Sequence, residues 1–223
     1  MTEKKNSVTQ QLSHSATPKK MKTDFANLKR YASENEKLHS TSNNGNRIVF
    51  FGDSITEFWT PKNSTLFQNP NHINRGISGQ TTSQMILRFQ QDVVELQPKL
   101  VVTLAGINDI AENNGPISIQ AVFENIITMV NSAKAKKINV ILCSVLPSNT
   151  ISWKTNIAPS DKIIQLNQLI QSYAKNHKIK YVDYYHSMVD NNKGLDKKYS
   201  DDGVHPNSEG YKVMERILIE KIK

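Results

Sequence analysis

Three polar side chains in this sequence have the types and spacing that nucleophilic catalysis needs. Asp202 precedes His205 by three residues in the run DDGVHP, which allows the carboxylate to accept a hydrogen bond from the imidazole. Such a bond fixes the tautomer of the ring, so that its other nitrogen can take a proton from a hydroxyl. Ser54 is the candidate hydroxyl, because it follows an apolar strand-like run at the start of a helical stretch. Ser54, His205 and Asp202 are therefore predicted to act as nucleophile, general base and orienting acid.

Two further positions could stabilise the negative charge that forms when a serine attacks a carbonyl carbon. Gly79 offers a bare backbone N–H in the turn-rich run NRGISGQTT, and Asn108 offers an amide donor in LAGINDI. Both follow strand-like runs, as Ser54 does. The backbone N–H groups of Ser54 and Gly79 and the Asn108 amide are thus candidates for an oxyanion hole.

Each of these residues also has an ordinary structural interpretation. Ser54 could be only a helix cap, because serine is common there. Gly79 and Asn108 could be only turn residues, and a lone histidine is more often a surface or structural residue than a catalytic one. The functional interpretation is favoured because candidates follow successive strands, where ligands bind in parallel sheets.

Five apolar runs predict the strands that must position these side chains. They are RIVFFG, HINRGI, KLVVTLAG, INVILCSVL and IKYVDYY, and helical patterns lie between them. Near-continuous apolar strands alternating with helices are typical of a parallel sheet with both faces covered. The sequence therefore predicts an α/β fold, a flavodoxin-like three-layer sandwich with a five-stranded parallel sheet.

Apolar residues at helical spacing predict three helices that pack on this sheet. One stripe lies within 119–130, and a second lies within 163–173 behind a Ser160 cap. The last helix follows Asn207 and presents apolar side chains on one side. All three are predicted to pack rather than to catalyse.

The chain divides into three predicted segments. Residues 1–22 are rich in polar and basic side chains and are predicted to be a disordered leader. Residues 23–45 are predicted to form a linker and an amphipathic helix from Asp24, with an apolar side made of Phe25, Leu28, Tyr31 and Leu38. Residues 46–223 are predicted to be one catalytic domain.

Composition argues against several other kinds of protein. Cys143 is the single cysteine, so an internal disulfide and a cysteine-rich metal site are excluded, and its apolar run predicts a buried core position. The histidines are scattered, and neither a Walker loop nor a G-x-G-x-x-G run occurs. We expect neither a metal ion nor another cofactor.

The net charge of +8 is concentrated near the start of the chain, where residues 1–40 hold eight Lys or Arg against four Asp or Glu. No recognisable nucleic-acid module accompanies this charge, so no nucleic-acid partner is expected. The sequence contains neither a membrane-spanning apolar run nor a secretory signal, which favours a cytoplasmic location. The basic leader would allow weak contact with an anionic membrane surface. The oligomeric state stays open.

Read in order, these motifs resemble those of the SGNH hydrolase family, also called GDSL esterases and lipases. The corresponding blocks are FFGDSITEFW with Ser54, NRGISGQTT with Gly79, LAGINDI with Asn108, and SDDGVHPNSEGY with Asp202 and His205. Ile55 stands where the family name has leucine. The likeness is strongest to the bacterial lysophospholipase-like and acetylhydrolase-like branch.

The resemblance implies a metal-free serine hydrolase acting on small-molecule esters or thioesters. Short acyl esters, lysophospholipids and acetylated sugars are all open as substrates. Trp153 lies in a long loop after the fourth predicted strand and is a candidate for substrate binding, although packing on the surface would also explain it. Phe58 and Trp59 are predicted to pack beside their helix. The alternative function is a catalytically silent module of the same fold that binds carbohydrate or protein.

Overall fold

The computed structural model describes residues 24–60 and 64–223 and is built around one parallel sheet of five strands. The strand order is β2-β1-β3-β4-β5, which is the flavodoxin-like order. The strands are β1 (Ile48–Gly52), β2 (His72–Gly76), β3 (Leu100–Leu104), β4 (Asn139–Cys143) and β5 (Lys180–Val182). The predicted fold class and the five predicted strands are confirmed. The predicted leader lies outside the described residues.

Helices join the strands and cover the sheet. They are α1 (Ala32–Ser40), α2 (Ser54–Glu57), α3 (Thr82–Phe89), α4 (Ile107–Ile110), α5 (Ile119–Ala135), α6 (Ser160–Asn176), α7 (Tyr184–Met188) and α8 (Ser208–Ile222). A 3-10 turn spans Leu66–Gln68, and a π turn at Gln90–Val94 continues α3. Right-handed crossovers place helices on both faces of such a sheet, which explains why β1 and β3 are buried throughout.

The predicted stripes of α5, α6 and α8 face the core. Val122 and Ile126 of α5, Ile163 of α6 and Met214 of α8 are all buried. The side chain of Asn207 accepts hydrogen bonds from two backbone N–H groups of α8 and caps that helix. Cys143 is buried at the end of β4, so its predicted core position is confirmed.

The carboxyl ends of three strands lie side by side because the central strands are in register. Gly52 at the end of β1 pairs with Gly76 of β2 and with Leu104 of β3. A Cβ atom on Gly52 would lie 2.1 Å from the Thr56 hydroxyl, and one on Gly76 would lie 2.1 Å from the Glu57 nitrogen. Only glycine therefore lets α2 pack this closely on the ends of β1 and β2.

The predicted helix from Asp24 is wrong in its first part. The helix begins at Ala32, and residues 24–31 form turns in which the Asp24 carboxylate accepts the backbone N–H groups of Leu28 and Lys29. Asn27 has a φ of 55°, which breaks a helix. Phe25 and Leu28 are consequently exposed instead of forming an apolar stripe.

The predicted Ser160 cap is also wrong. Pro159 is the N-cap residue of α6, and Ser160 is the first residue within the helix. The Ser160 hydroxyl donates to the Ser148 carbonyl at 3.1 Å, so it ties the preceding loop to the helix instead of capping a helical N–H. In the part of the chain that the structure describes, no helix is long and apolar enough to span a membrane.

Candidate active site

The turn after β1 places Ser54 at the carboxyl edge of the sheet. Asp53 is the N-cap of α2, and its Oδ1 accepts the backbone N–H of Ile55 at 3.0 Å. Ser54 is the first residue inside the helix, so the interpretation of Ser54 as a cap is wrong. Its hydroxyl is left to form a different bond.

That bond joins Ser54 to a histidine 151 residues away in sequence. Ser54 Oγ lies 2.9 Å from His205 Nε2, and His205 Nδ1 lies 2.6 Å from Asp202 Oδ2. When Nδ1–H is donated to the carboxylate, Nε2 is left unprotonated and can accept the serine proton. The structure thus brings together the three residues predicted to act as nucleophile, base and orienting acid.

Asp202 is held as a carboxylate by its surroundings. Partial burial raises its pKa, but hydrogen bonds from the His205 ring and from the backbone N–H groups of His205 and Val204 outweigh that effect and lower the pKa below its ordinary value. Ser200 supports the same loop by donating to the His205 carbonyl at 2.7 Å. The negative charge needed to orient the imidazole is therefore present across the neutral range.

Asn108 carries an amide donor for which the described part of the chain provides no partner. It lies in α4, directly after β3, and is 2% exposed. Its Oδ1 accepts a hydrogen bond from Asn113 at 2.7 Å, whereas its Nδ2 is buried without a partner in residues 24–60 and 64–223. Leaving a buried donor unsatisfied costs about 1–3 kcal/mol. Such an atom is suited to a group that arrives during a reaction.

Gly79 lies in the turn between β2 and α3. Its φ of 76° is in the left-handed region, and a Cβ atom there would contact nothing within 4 Å. Backbone conformation, rather than crowding, therefore favours glycine here. The neighbouring residue is held firmly, because the backbone N–H of Ser78 donates to Glu57 Oε2 at 2.7 Å and Arg30 pairs with Glu57 Oε1 at 3.2 Å.

Two exposed aromatic side chains flank the imidazole. The Trp153 ring stacks on the His205 ring at 6.0 Å with an interplanar angle of 28°, and the Phe58 ring lies 5.4 Å from it at 47°. Trp153 therefore lies beside the predicted site, although its contact with substrate stays a prediction. The packing predicted for Phe58 is wrong, since 44% of it is exposed at the site. The packing predicted for Trp59 is confirmed, because it is buried and stacks on Tyr211.

Two buried carboxyl groups lie next to this site. Burial raises the pKa of Asp53 to about 7, and its Oδ2 has no partner among the described residues. Burial also raises the pKa of Asp109 to about 6, although the Thr82 hydroxyl and backbone N–H both donate to that carboxylate. Within 24–60 and 64–223, no group of three or more His, Cys, Asp or Glu residues is arranged to hold a metal ion.

Sequence patterns pointed to neither Asn113 nor Glu57. Asn113 lies in the run ENNG, which is typical of a turn, and Glu57 is the last residue of the short helix α2. Asn113 pairs with Asn108, five residues away, and with Trp153, 40 residues away, whereas Glu57 pairs with Arg30 and with the backbone N–H of Ser78. Composition and spacing carry no signal for these contacts. The position of Glu57 three residues after Ser54 was the one feature of the sequence that placed this side chain near the candidate nucleophile.

The fold defines a three-layer parallel α/β protein with a Ser-His-Asp chain at the carboxyl edge of its sheet. The model of the GDSL-like Lipase/Acylhydrolase family matches residues 50–213. The chain belongs to this family. The match contains Ser54, Gly79, Asn108, Asp202 and His205.

Solved structures from two Bacteroides species are similar over most of the chain. A candidate acylhydrolase from Bacteroides fragilis is 46% identical with a TM-score of 0.86, and the match covers 90% of this chain and 98% of that chain. A GDSL-like lipase from Bacteroides thetaiotaomicron is 47% identical with a TM-score of 0.85, and the match covers 89% and 98%. Both matches cover more of the chain than the region 50–213 that the family model matches.

A curated relative bears on location. The chain is 36% identical over 78 residues to the uncharacterized lipoprotein YqeF of Bacillus subtilis, a match that covers 34% of this chain. The match spans only about a third, 32%, of that protein. Because this relative is called a lipoprotein, the cytoplasmic location expected from the sequence stays a prediction.

Proposed function

We propose that this protein is a serine esterase that hydrolyses carboxylic esters through an acyl intermediate on Ser54. The observation that carries the proposal is the continuous hydrogen-bond chain from Ser54 Oγ through the His205 ring to Asp202. Membership of the GDSL-like lipase/acylhydrolase family supports the same reaction class. The Asn108 amide donor, which is buried and has no partner among the described residues, supports a developing oxyanion as its ligand.

In the acylation step, Ser54 Oγ attacks the ester carbonyl carbon while His205 Nε2 takes the hydroxyl proton. The carbonyl oxygen gains the negative charge, and the Asn108 amide with the backbone N–H groups of Ser54 and Gly79 stabilises it. Collapse of this intermediate breaks the bond to the alcohol oxygen. His205 returns its proton to that oxygen, and the alcohol leaves.

Deacylation repeats the chemistry with water as the nucleophile. His205 removes a proton from water, the resulting oxygen attacks the acyl carbon, and the same donors stabilise the second oxyanion. His205 then protonates Ser54 Oγ as the acid departs. If deacylation is the slower step, the first turnover releases a burst of alcohol.

The substrate is proposed to be a small acyl ester, with lysophospholipids and acetylated sugars as the two classes to compare. The exposed rings of Trp153 and Phe58 beside His205 provide flat apolar surfaces that suit either an acyl chain or the face of a sugar. An ester series that differs in both acyl length and alcohol separates these classes.

The test is hydrolysis of p-nitrophenyl esters from acetate to palmitate, with an acetylated sugar alongside, by wild type and Ser54→Ala. We expect wild-type activity and its loss, on the order of 10⁶-fold in kcat, in Ser54→Ala. Ser132→Ala is the matched control, because Ser132 is an exposed residue of α5. Inactive wild type would favour the binding-module alternative, and an active Ser54→Ala would remove Ser54 as nucleophile.

A further inference from the structure

The Asn108 amide can stabilise an oxyanion in only one of its two orientations. Its Nδ2 must face the substrate, and its Oδ1 must face the protein. The protein side supplies a donor, because Asn113 Nδ2 lies 2.7 Å from Asn108 Oδ1. The orientation of Asn108 thus depends on the orientation of a second amide.

Trp153 sets the orientation of that second amide. Its indole Nε1 donates to Asn113 Oδ1 at 3.0 Å. An indole N–H is a donor and never an acceptor. The group that faces it must therefore be the Asn113 oxygen, which leaves the Asn113 NH₂ group to face Asn108. One donor-only group thereby fixes the direction of two successive hydrogen bonds.

We propose that Trp153 and Asn113 are positioning residues that turn the Asn108 amide toward the substrate carbonyl. The inference rests on the proposed esterase function and adds two residues to the support of its oxyanion hole. Trp153 also stacks on His205, so one loop residue contacts the general base and orients the oxyanion donor. The loop that holds Trp153 therefore supports both the general base His205 and the oxyanion donor Asn108.

The decisive variant is Asn113→Asp. A carboxylate still accepts the indole N–H, but it presents oxygen to Asn108 and repels Oδ1. The Asn108 amide should then rotate and donate to the new carboxylate, which takes its N–H away from the substrate. We expect kcat to fall on the order of 100- to 1,000-fold, as when an oxyanion donor is deleted, with KM nearly unchanged.

Asn113→Ala distinguishes orientation from packing. Alanine removes the donor without repelling the Asn108 oxygen, so the amide samples both orientations and kcat should fall by only about tenfold. If Asn113 served only to pack the loop, the nearly isosteric aspartate would be the milder change and alanine the harsher one. The order of the two effects is therefore the readout.

Two further variants complete the test. Trp153→Phe keeps a ring over His205 but removes the N–H, and we expect kcat to fall several-fold with an unchanged pH profile, on the order of one hydrogen bond to a neutral group. In an Asn108→Ala background, Asn113→Asp should cost nothing more, because the amide it misorients is gone. Asn176→Asp, at the exposed end of α6, is the control for the added charge.

The outcomes separate this inference from the proposed function. Inactive wild type, or an active Ser54→Ala, would defeat the esterase proposal. A different result is an active wild type and an inactive Ser54→Ala, with Asn113→Asp as fast as wild type. That result would overturn only the positioning role of Trp153 and Asn113. If Asn113→Asp melts at a much lower temperature than wild type, Trp153→Phe is tested in the Asn108→Ala background instead. An additional loss of kcat there would overturn the positioning role of Trp153 and Asn113, and no additional loss would support it.

Discussion

Two buried polar clusters meet at the end of β1, and their hydrogen-bonding groups are satisfied to different extents. Arg88 of α3 is fully buried, and it donates to Gln80, Asp92 and the carbonyls of Arg75 and Gly52. Asp53 and Asn108, at the ends of β1 and β3, each keep one buried atom without a partner in the described chain. The scaffold cluster satisfies its charge internally, whereas the site keeps hydrogen-bonding capacity for a ligand.

The contrast has a physical basis. A buried charge is tolerated only when hydrogen bonds replace the water it has lost, and Arg88 obtains them from two strand ends and from Asp92. In doing so it holds the carbonyl of Gly52, two residues before Ser54. A group that binds a transition state must instead be preorganised and unoccupied until charge develops. Stability and reactivity are therefore assigned to adjacent but separate side chains.

The largest expected effect is on the site cluster. Asp202→Ala removes the acceptor that orients His205, and kcat should fall on the order of 10⁴-fold, less than for Ser54→Ala. The midpoint of urea unfolding should change little by comparison. Kinetics on a p-nitrophenyl ester beside a denaturation curve measures both. Unchanged turnover would eliminate Asp202 as the orienting acid, and Asp201 would be tested next.

The converse effect is expected for the scaffold cluster. Arg88→Met leaves the buried carboxylate of Asp92 without its ion pair, and the free energy of unfolding should fall by about 3–5 kcal/mol. Asp92→Asn in the same chain should restore part of it, because the uncompensated charge is removed. Urea denaturation of the single and double variants measures this. An Arg88→Met variant as stable as wild type would show that the Arg88–Asp92 ion pair does not stabilise the fold.

The third effect concerns Asp53 and depends on pH. Its pKa is raised from 3.8 to about 7 in the folded chain by burial, so the folded state holds a proton that the unfolded state has already released. Rising pH therefore destabilises the wild type between about pH 4 and pH 7 through this group. Asparagine cannot ionise and still offers Oδ1 to the Ile55 N–H.

The expected result for Asp53→Asn follows from that sign. Relative to wild type, its free energy of unfolding should increase from pH 4 to pH 7 and level off above pH 7. Urea unfolding at several pH values measures the difference, in which titratable groups that do not interact with Asp53 cancel. A difference that stays constant across this range would contradict the raised pKa of Asp53.

Local patterns were sufficient for the parts of this protein that depend on neighbours in sequence. The five strands follow from apolar runs, and the helices α5, α6 and α8 follow from apolar spacing, because burial of one face is a local requirement. The sequence singled out Ser54, Asp202 and His205, which the structure brings together, and the candidate oxyanion donors Gly79 and Asn108. Ser54, Gly79 and Asn108 follow the ends of β1, β2 and β3, and Asp202 and His205 lie in the loop before α8. Parallel strands bring their carboxyl ends to one edge of the sheet.

Tertiary structure decided the contacts that join distant segments. The errors at the starts of α1 and α6 are local instead, because the Asp24 carboxylate takes the backbone N–H groups of Leu28 and Lys29, and Pro159 rather than Ser160 occupies the N-cap position of α6. Phe58 lies over His205 because α2 and the loop before α8 meet only in the folded chain. The hydrogen bonds of Asn113 run to Asn108 and to Trp153, the latter 40 residues away.

By itself, then, the sequence determined the strand pattern and the fold class and singled out the candidate catalytic side chains, since these depend on residue type and local periodicity. Only the tertiary structure decided how the Asn108 and Asn113 amides pair, which aromatic rings flank the imidazole, and which buried polar atoms keep no partner in the described chain. Hydrogen-bond direction and partner choice depend on three-dimensional proximity and on the orientation of each side chain, and neither composition nor spacing encodes them.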